Sequence, residues 1–176
     1  MIKKLIFSLG VFFLLAFSPT LMGQSEFVIV PPSAFNCMTS GGGWVKSDSA
    51  EQYLYITAGA DFLDRTYIAP VYFPPSATGK KVKKMSVTVL DGSDAAGIAV
   101  RLRKTDLTDG NNHWNVFFVG TGFYEALGKQ LLHDNATSEN RTINNRRWAW
   151  DIVVTFEFVP SPEDALRVYS VRIKFE

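Results

Sequence analysis

Few side chains in this 176-residue chain have the type and spacing for covalent or metal chemistry. The two histidines, His113 and His133, have no second histidine or cysteine at metal-ligand spacing, and Cys37 is the only cysteine. No Gly-x-Ser-x-Gly nucleophile elbow occurs. The stretch GTGFYEALGK is glycine-rich but lacks both Gly-x-Gly-x-x-Gly spacing and the Gly-Lys-Ser/Thr of a phosphate loop. A glycosidase needs two carboxylates across a cleft, and no motif selects a pair among the 17 acidic residues. Asp91 and Asp94 in DGSDAAG, and Asp106 and Asp109 in TDLTDGNN, offer oxygen ligands of the kind Ca²⁺ takes. Asp and Gly are also ordinary turn residues, and Asx-type turns between strands are the simpler reading. Asn135 and Asn140 begin Asn-x-Thr triplets that match a glycosylation acceptor. The expectation is a non-enzyme with no catalytic residues, no metal site and no cofactor.

The sharper signal is aromatic. In WAWDIVVTFEF every second residue from Trp148 to Phe158 is apolar, while Asp151, Thr155 and Glu157 lie between them. On a strand that period puts the apolar residues on one face. The four aromatics carry about 600–1,000 Å² at about 150–250 Å² each, more than a soluble monomer leaves in one exposed patch. Burying them contributes at most about 15–25 kcal/mol, gross. The stripe is therefore expected to be core from Ile152 to Phe158, with the opposite face solvated and Trp148 reaching the rim. Trp44, Trp114 and Trp148 are the aromatics that a rim-type ligand site would use.

The elements that must position these residues read as strands and turns. EFVIV stops at Pro31-Pro32, and YLYIT and YIAPVYF are rich in aromatic and β-branched residues. Pro70 demotes its part of the latter to an edge or a bulge. KVKKMSVTVLD alternates through Met85, Val87 and Val89, and IAVRLRK sets Ile98, Val100 and Leu102 against Ala99, Arg101 and Arg103. HWNVFFV follows, and in LRVYSVRIKFE Tyr169, Val171, Ile173 and Phe175 alternate with Ser170, Arg172 and Lys174. GFYEALGKQLL fits either a helical turn or a short strand, and HDNATSENRTINNRR reads as a long surface loop. Period-two segments between Gly, Pro, Asn and Asp clusters predict an all-β, antiparallel β-sandwich.

Residues 1–23 have a basic start, Lys3 and Lys4, an apolar run from Leu5 to Phe17, and a small residue, Gly23, where a peptidase could cut. They read as a secretory signal peptide, because the run is shorter than the roughly 20 residues of a membrane span. Residues 24–176 then form one domain, secreted or periplasmic, without stable membrane insertion after cleavage. Cleavage removes two lysines and no acid, leaving 16 basic and 17 acidic side chains. That balance excludes a nucleic-acid footprint. Cys37 is expected to be a small buried hydrophobe.

The order YIAPVYFPPSATGKKVKKMSVTVLD, IAVRLRKTDL, LRVYSVRIKFE resembles a group of secreted bacterial β-sandwich domains. In these a Leu-Pro-x-Gly-Ala-type turn precedes a long strand ending in Asp, and a Val-Arg-Ile strand comes last. The resemblance spans roughly residues 53–176, with PPSATGKKVKK in place of the tighter turn. It implies a jelly-roll-like fold and assigns no catalytic residue. The function expected is a binding or structural module that meets a protein partner, or a second copy of itself, through an edge strand or sheet face. Tyr53 and Tyr55 mark that surface, because the apolar residues around them cannot all face one core. The alternative is a carbohydrate-binding module that holds a polysaccharide with Trp44, Trp114 and Trp148.

Overall fold

The computed structural model describes residues 26–38, 43–47, 52–56, 65–92, 96–110, 112–121, 128–134, 141–157 and 166–176. The strands are β1 (Glu26–Val30), β2 (Asn36–Cys37), β3 (Gly43–Ser47), β4 (Gln52–Ile56), β5 (Arg65–Val71) and β6 (Val82–Asp91). They continue with β7 (Gly97–Asp106), β8 (His113–Gly120), β9 (Gly128–Asp134), β10 (Trp148–Glu157) and β11 (Arg167–Phe175). They form two antiparallel sheets. One runs β3-β4-β11-β6-β9, with β1 also paired to β11, and the other runs β2-β5-β10-β7-β8. From β4 onward, β4-β11-β6-β9 faces β5-β10-β7-β8, so consecutive strands change sheet except at the β7–β8 hairpin and the chain winds as a jelly roll. Among the described residues no helix is long and apolar enough to cross a membrane.

Period-two apolar residues make these strands and line the space between the sheets. Met85, Val87 and Val89 of β6, Ile98, Val100 and Leu102 of β7, and Val171, Ile173 and Phe175 of β11 are all buried. The β10 stripe faces them: Ile152, Val154 and Phe156 are core, as expected, and the core extends through Trp150 to Trp148, which is 9% exposed rather than a rim residue. Edge-to-face rings tie the layers together. Phe73, just past β5, meets Trp150 of the five-stranded sheet at 5.4 Å and Phe175 of the six-stranded sheet at 5.5 Å, and within the five-stranded sheet Tyr67 meets Phe156 at 5.8 Å. Pro70 pairs with Asp151 where the short β2 no longer covers β5, so its missing N–H falls on an open edge.

The structure departs from the simple alternation at three places. A bulge on β11 between Val168 and Ser170 puts Val168 in the core and turns Tyr169 outward onto Tyr53. The outer side of β10 is not simply solvated, because Thr155 and Val153 are buried there, Thr155 within reach of Thr66 and Arg101. Cys37 is exposed rather than core, because β2 is a two-residue edge strand. The undecided segment 122–132 is strand from Gly128, in β9, and its residues 122–127 lie outside the described set, as do residues 1–23, Phe158, Asp94, Asn135 and Asn140.

Candidate ligand-binding faces

Two of the three tryptophans expected at a rim come together, Trp148 buried and Trp114 39% exposed. Trp148 opens β10 and Trp114 lies on β8, with ring centroids 5.1 Å apart and planes at 88°. Between them stands Lys104, 1% exposed, its Nζ 4.2 Å from the Trp148 centroid and 5.8 Å from that of Trp114. The Arg147 guanidinium covers Trp148 at 4.7 Å and lies 3.4 Å from Asp106 Oδ2. Burial first, and then Arg147, lower the Lys104 pKa, while Asp106 acts in the opposite direction. Sequence reasoning missed Lys104, although a signal was there: it is the next member of the inward row Ile98, Val100, Leu102. Trp44 does not join this cluster. It lies on β3, opposite Tyr55 in the other sheet, and its side chain is outside the described residues.

Asp106 and Asp109 make turns. Asp106 Oδ1 accepts from the Thr108 N–H at 2.9 Å and from its hydroxyl at 2.7 Å, and Asp109 Oδ1 accepts from the Asn112 N–H at 3.2 Å. Asx geometry thus uses the oxygens that a cation would need. Among the described residues no group of three or more His, Cys, Asp or Glu side chains could hold a metal ion.

The outer face of the five-stranded sheet carries a second arrangement. At one end a groove of about 390 Å³ runs past Pro70, Tyr72, Leu107, Ala149 and the edge of Trp148. Tyr72, just beyond β5, is 81% exposed there. Further along, Arg103 Nε lies 2.8 Å from Asp151 Oδ1, and the Thr105 hydroxyl is 2.7 Å from His113 Nδ1. Beyond them Arg101 Nη1 donates to Thr155 Oγ1 at 3.4 Å, and its guanidinium lies 5.2 Å from the ring of Phe118, which is 53% exposed. Phe117 and Phe118 are adjacent on β8. Alternation cannot bury both, and that was the legible sign of an outward ring.

Tyr53 and Tyr55 both lie on the outer face of the six-stranded sheet, because Leu54 between them is core. Their rings meet edge to face at 5.7 Å, Tyr53 meets Tyr169 at 5.7 Å, and Arg167 covers Tyr53 at 4.5 Å. Tyr53 is consequently buried on that face and Tyr55 half-buried.

No protein-family model matches the sequence, and no curated protein matches it. Among solved structures the chain is similar to a xylan-binding module, CBM15, at a TM-score of 0.46 and 12% identity, over 85% of this chain and 96% of that one. It is similar to CBM29_1, a family 29 carbohydrate-binding module from Piromyces equi, at 0.43 and 10%, over 86% and 91%. It is likewise similar to CBM86, a low-affinity xylan-binding module from Roseburia intestinalis, at 0.43 and 10%, over 86% and 96%.

Proposed function

We propose that this protein is a non-catalytic module that binds a polysaccharide along the outer face of the β5-β10-β7-β8 sheet. The observation that carries this reading is the pair of exposed rings, Tyr72 and Phe118, at opposite corners of a floor of Arg101, Arg103, Asp151 and Thr155. A sugar ring offers a flat C–H face, which packs on an aromatic ring, and hydroxyls, which suit fixed charged and hydroxyl groups. From Ala149 beside Tyr72 to Val153 opposite Arg101 is four residues of β10, about 13 Å, and the four strands add about 14 Å across. That platform accommodates several sugar units.

This reading stands ahead of protein assembly because the apolar surface around Tyr72 and the ring of Phe118 are separated by the polar floor of Arg101, Arg103 and Asp151 and do not form one continuous apolar patch. It goes with a secreted or periplasmic chain in which residues 1–23 are a cleaved leader and 24–176 one domain. Glycan-array binding followed by calorimetry tests it. Tyr72→Ala and Phe118→Ala are each expected to weaken binding to a neutral polysaccharide by about tenfold with an unchanged melt. A parent protein that retains no neutral polysaccharide, or variants that bind as the parent does, would overturn it.

A further inference from the structure

The opposite face has a different chemistry. A groove of about 520 Å³ crosses β1, β11, β6 and β9 on the outside of the six-stranded sheet. Its residues fall into three cross-strand rows. The first is Phe27, Lys174 and Lys84; the second is Ile29, Arg172 and Ser86; the third is Ser170, Thr88 and Leu131. Lys84 and Lys174 are in direct register on neighbouring strands, and Arg172 is one row away. Like charges facing each other across a ladder destabilise it, and the chain as a whole is nearly neutral. The concentration of cations is therefore local to this face.

Carboxylates do little to offset it. No acidic residue lines the groove among the described residues. Glu176 is the neighbour: its Oε1 lies 3.2 Å from Lys83 Nζ, and its Oε2 only reaches Lys174 Nζ at 3.8 Å. The Glu176 carboxyl is held below its ordinary pKa by Lys83 first, so it is anionic and chiefly engaged outside the groove. Three hydroxyls continue the groove from the cations, Ser86 beside Arg172 and Thr88 with Ser170 in the next row, and Arg172 lies 3.5 Å over the Phe27 ring at one margin.

We infer that this groove binds an acidic polysaccharide, one carrying carboxylate or sulfate groups along its chain. The cations match the acid groups and the hydroxyl rows match sugar hydroxyls. The three cations stand on β11 and β6, neighbouring strands inside the sheet whose backbone N–H and C=O groups are paired in the ladders, so recognition there falls to side chains. Between β11 and β6, where the cations stand, a peptide seeking strand-like pairing finds no open edge. A second copy docked face to face by a twofold would bring Lys84, Lys174 and Arg172 onto their own kind.

The inference is independent of the neutral-polysaccharide reading, because it uses the other sheet. Polygalacturonate, dextran sulfate, polyglutamate and neutral xylan are the probes, in affinity electrophoresis and calorimetry at low and high salt. The parent is expected to bind polygalacturonate or dextran sulfate at low salt and to lose that binding as salt rises. Arg172→Ala and Lys84→Gln are each expected to weaken it about tenfold, whereas Phe118→Ala leaves it unchanged. Thermal melts establish that each variant is folded, and Lys174→Gln serves where one is not. Parent protein that binds neither acidic glycan, or folded variants that bind them undiminished, overturns the inference. Polyglutamate bound as tightly as polygalacturonate overturns the assignment to a sugar chain.

Discussion

Arg103 on the five-stranded sheet lies 2.8 Å from Asp151, whereas Lys84 on the six-stranded sheet lies in register with Lys174. The same contrast extends across both faces. On the first, Arg101 reaches Thr155 and Thr105 reaches His113. On the second, Lys174 faces Lys84, Arg172 faces Ser86, and no acid lines the groove among the described residues. The two faces share one core and one alternation of side chains. Charges satisfied within the protein hold their geometry before any ligand arrives, and they suit a ligand that is read by shape and hydrogen bonds. Charges opposed to their own kind gain most from a partner that brings the opposite sign.

The largest effect should come from removing what both faces rest on. Phe156→Ala is expected to cost about 3–5 kcal/mol, the usual loss for a fully buried aromatic. Denaturant melts measure it, and both binding activities should fall together with the folded fraction. A midpoint equal to that of the parent would mean that the β10 stripe does not support the fold.

The next two variants set the faces against each other. Arg103→Ala leaves the Asp151 carboxylate, which is mostly buried, without its 2.8 Å partner, and should cost about 1–3 kcal/mol. Arg172→Ala gives up, among the described residues, the stacking on Phe27 and should cost less than about 1 kcal/mol. Equal losses in urea melts would erase the distinction between paired and unpaired charge.

The smallest effect lies at the sandwich end, where the paired pattern recurs. The Thr108 N–H and hydroxyl, and then Arg147, hold the Asp106 carboxyl below its ordinary 3.8, against the contrary effect of burial. The folded protein therefore holds this proton less tightly than the unfolded chain. The stability it contributes is present above 3.8 and is lost as pH falls through the lowered native value. Asp106→Asn should flatten that acid limb in melts taken across pH, and a variant with the parent's slope would remove the turn from the account.

Strands with an uninterrupted period of two were legible from residue types. Met85 to Val89, Ile98 to Leu102 and Trp150 to Phe156 point inward as their spacing requires. Tyr169 escaped because a bulge shifts the count by one, and nothing in LRVYSVRIKFE marks where the extra residue falls. Of the candidate site, the meeting of Trp114 and Trp148 was only partly legible. Both tryptophans were singled out, but Trp44, chosen with them, belongs to the other sheet. Lys104 stayed hidden because a lysine suggests solvent even in an inward row, and the indoles of Trp148 and Trp114 together with the Asp106 charge favour the buried ammonium. The opposed lysines depend on the register of β6 against β11, which only long-range pairing sets.

The two strands that come last in chain order, β10 and β11, are the central strands of the two sheets. β10 joins β5 to β7, and β11 joins β4 and β1 to β6. A nascent chain that has emerged only as far as β9 therefore carries two separated halves of each sheet, with their inner edges open and their apolar sides wet. Neither half can be completed by pairing with its own neighbours, so folding waits for contacts of long sequence separation and is slow to start. During that interval the exposed edges are open to pairing with other chains. A chain shortened before Trp148 would forfeit the whole sandwich at once, since every other strand is held by these two or by strands they join.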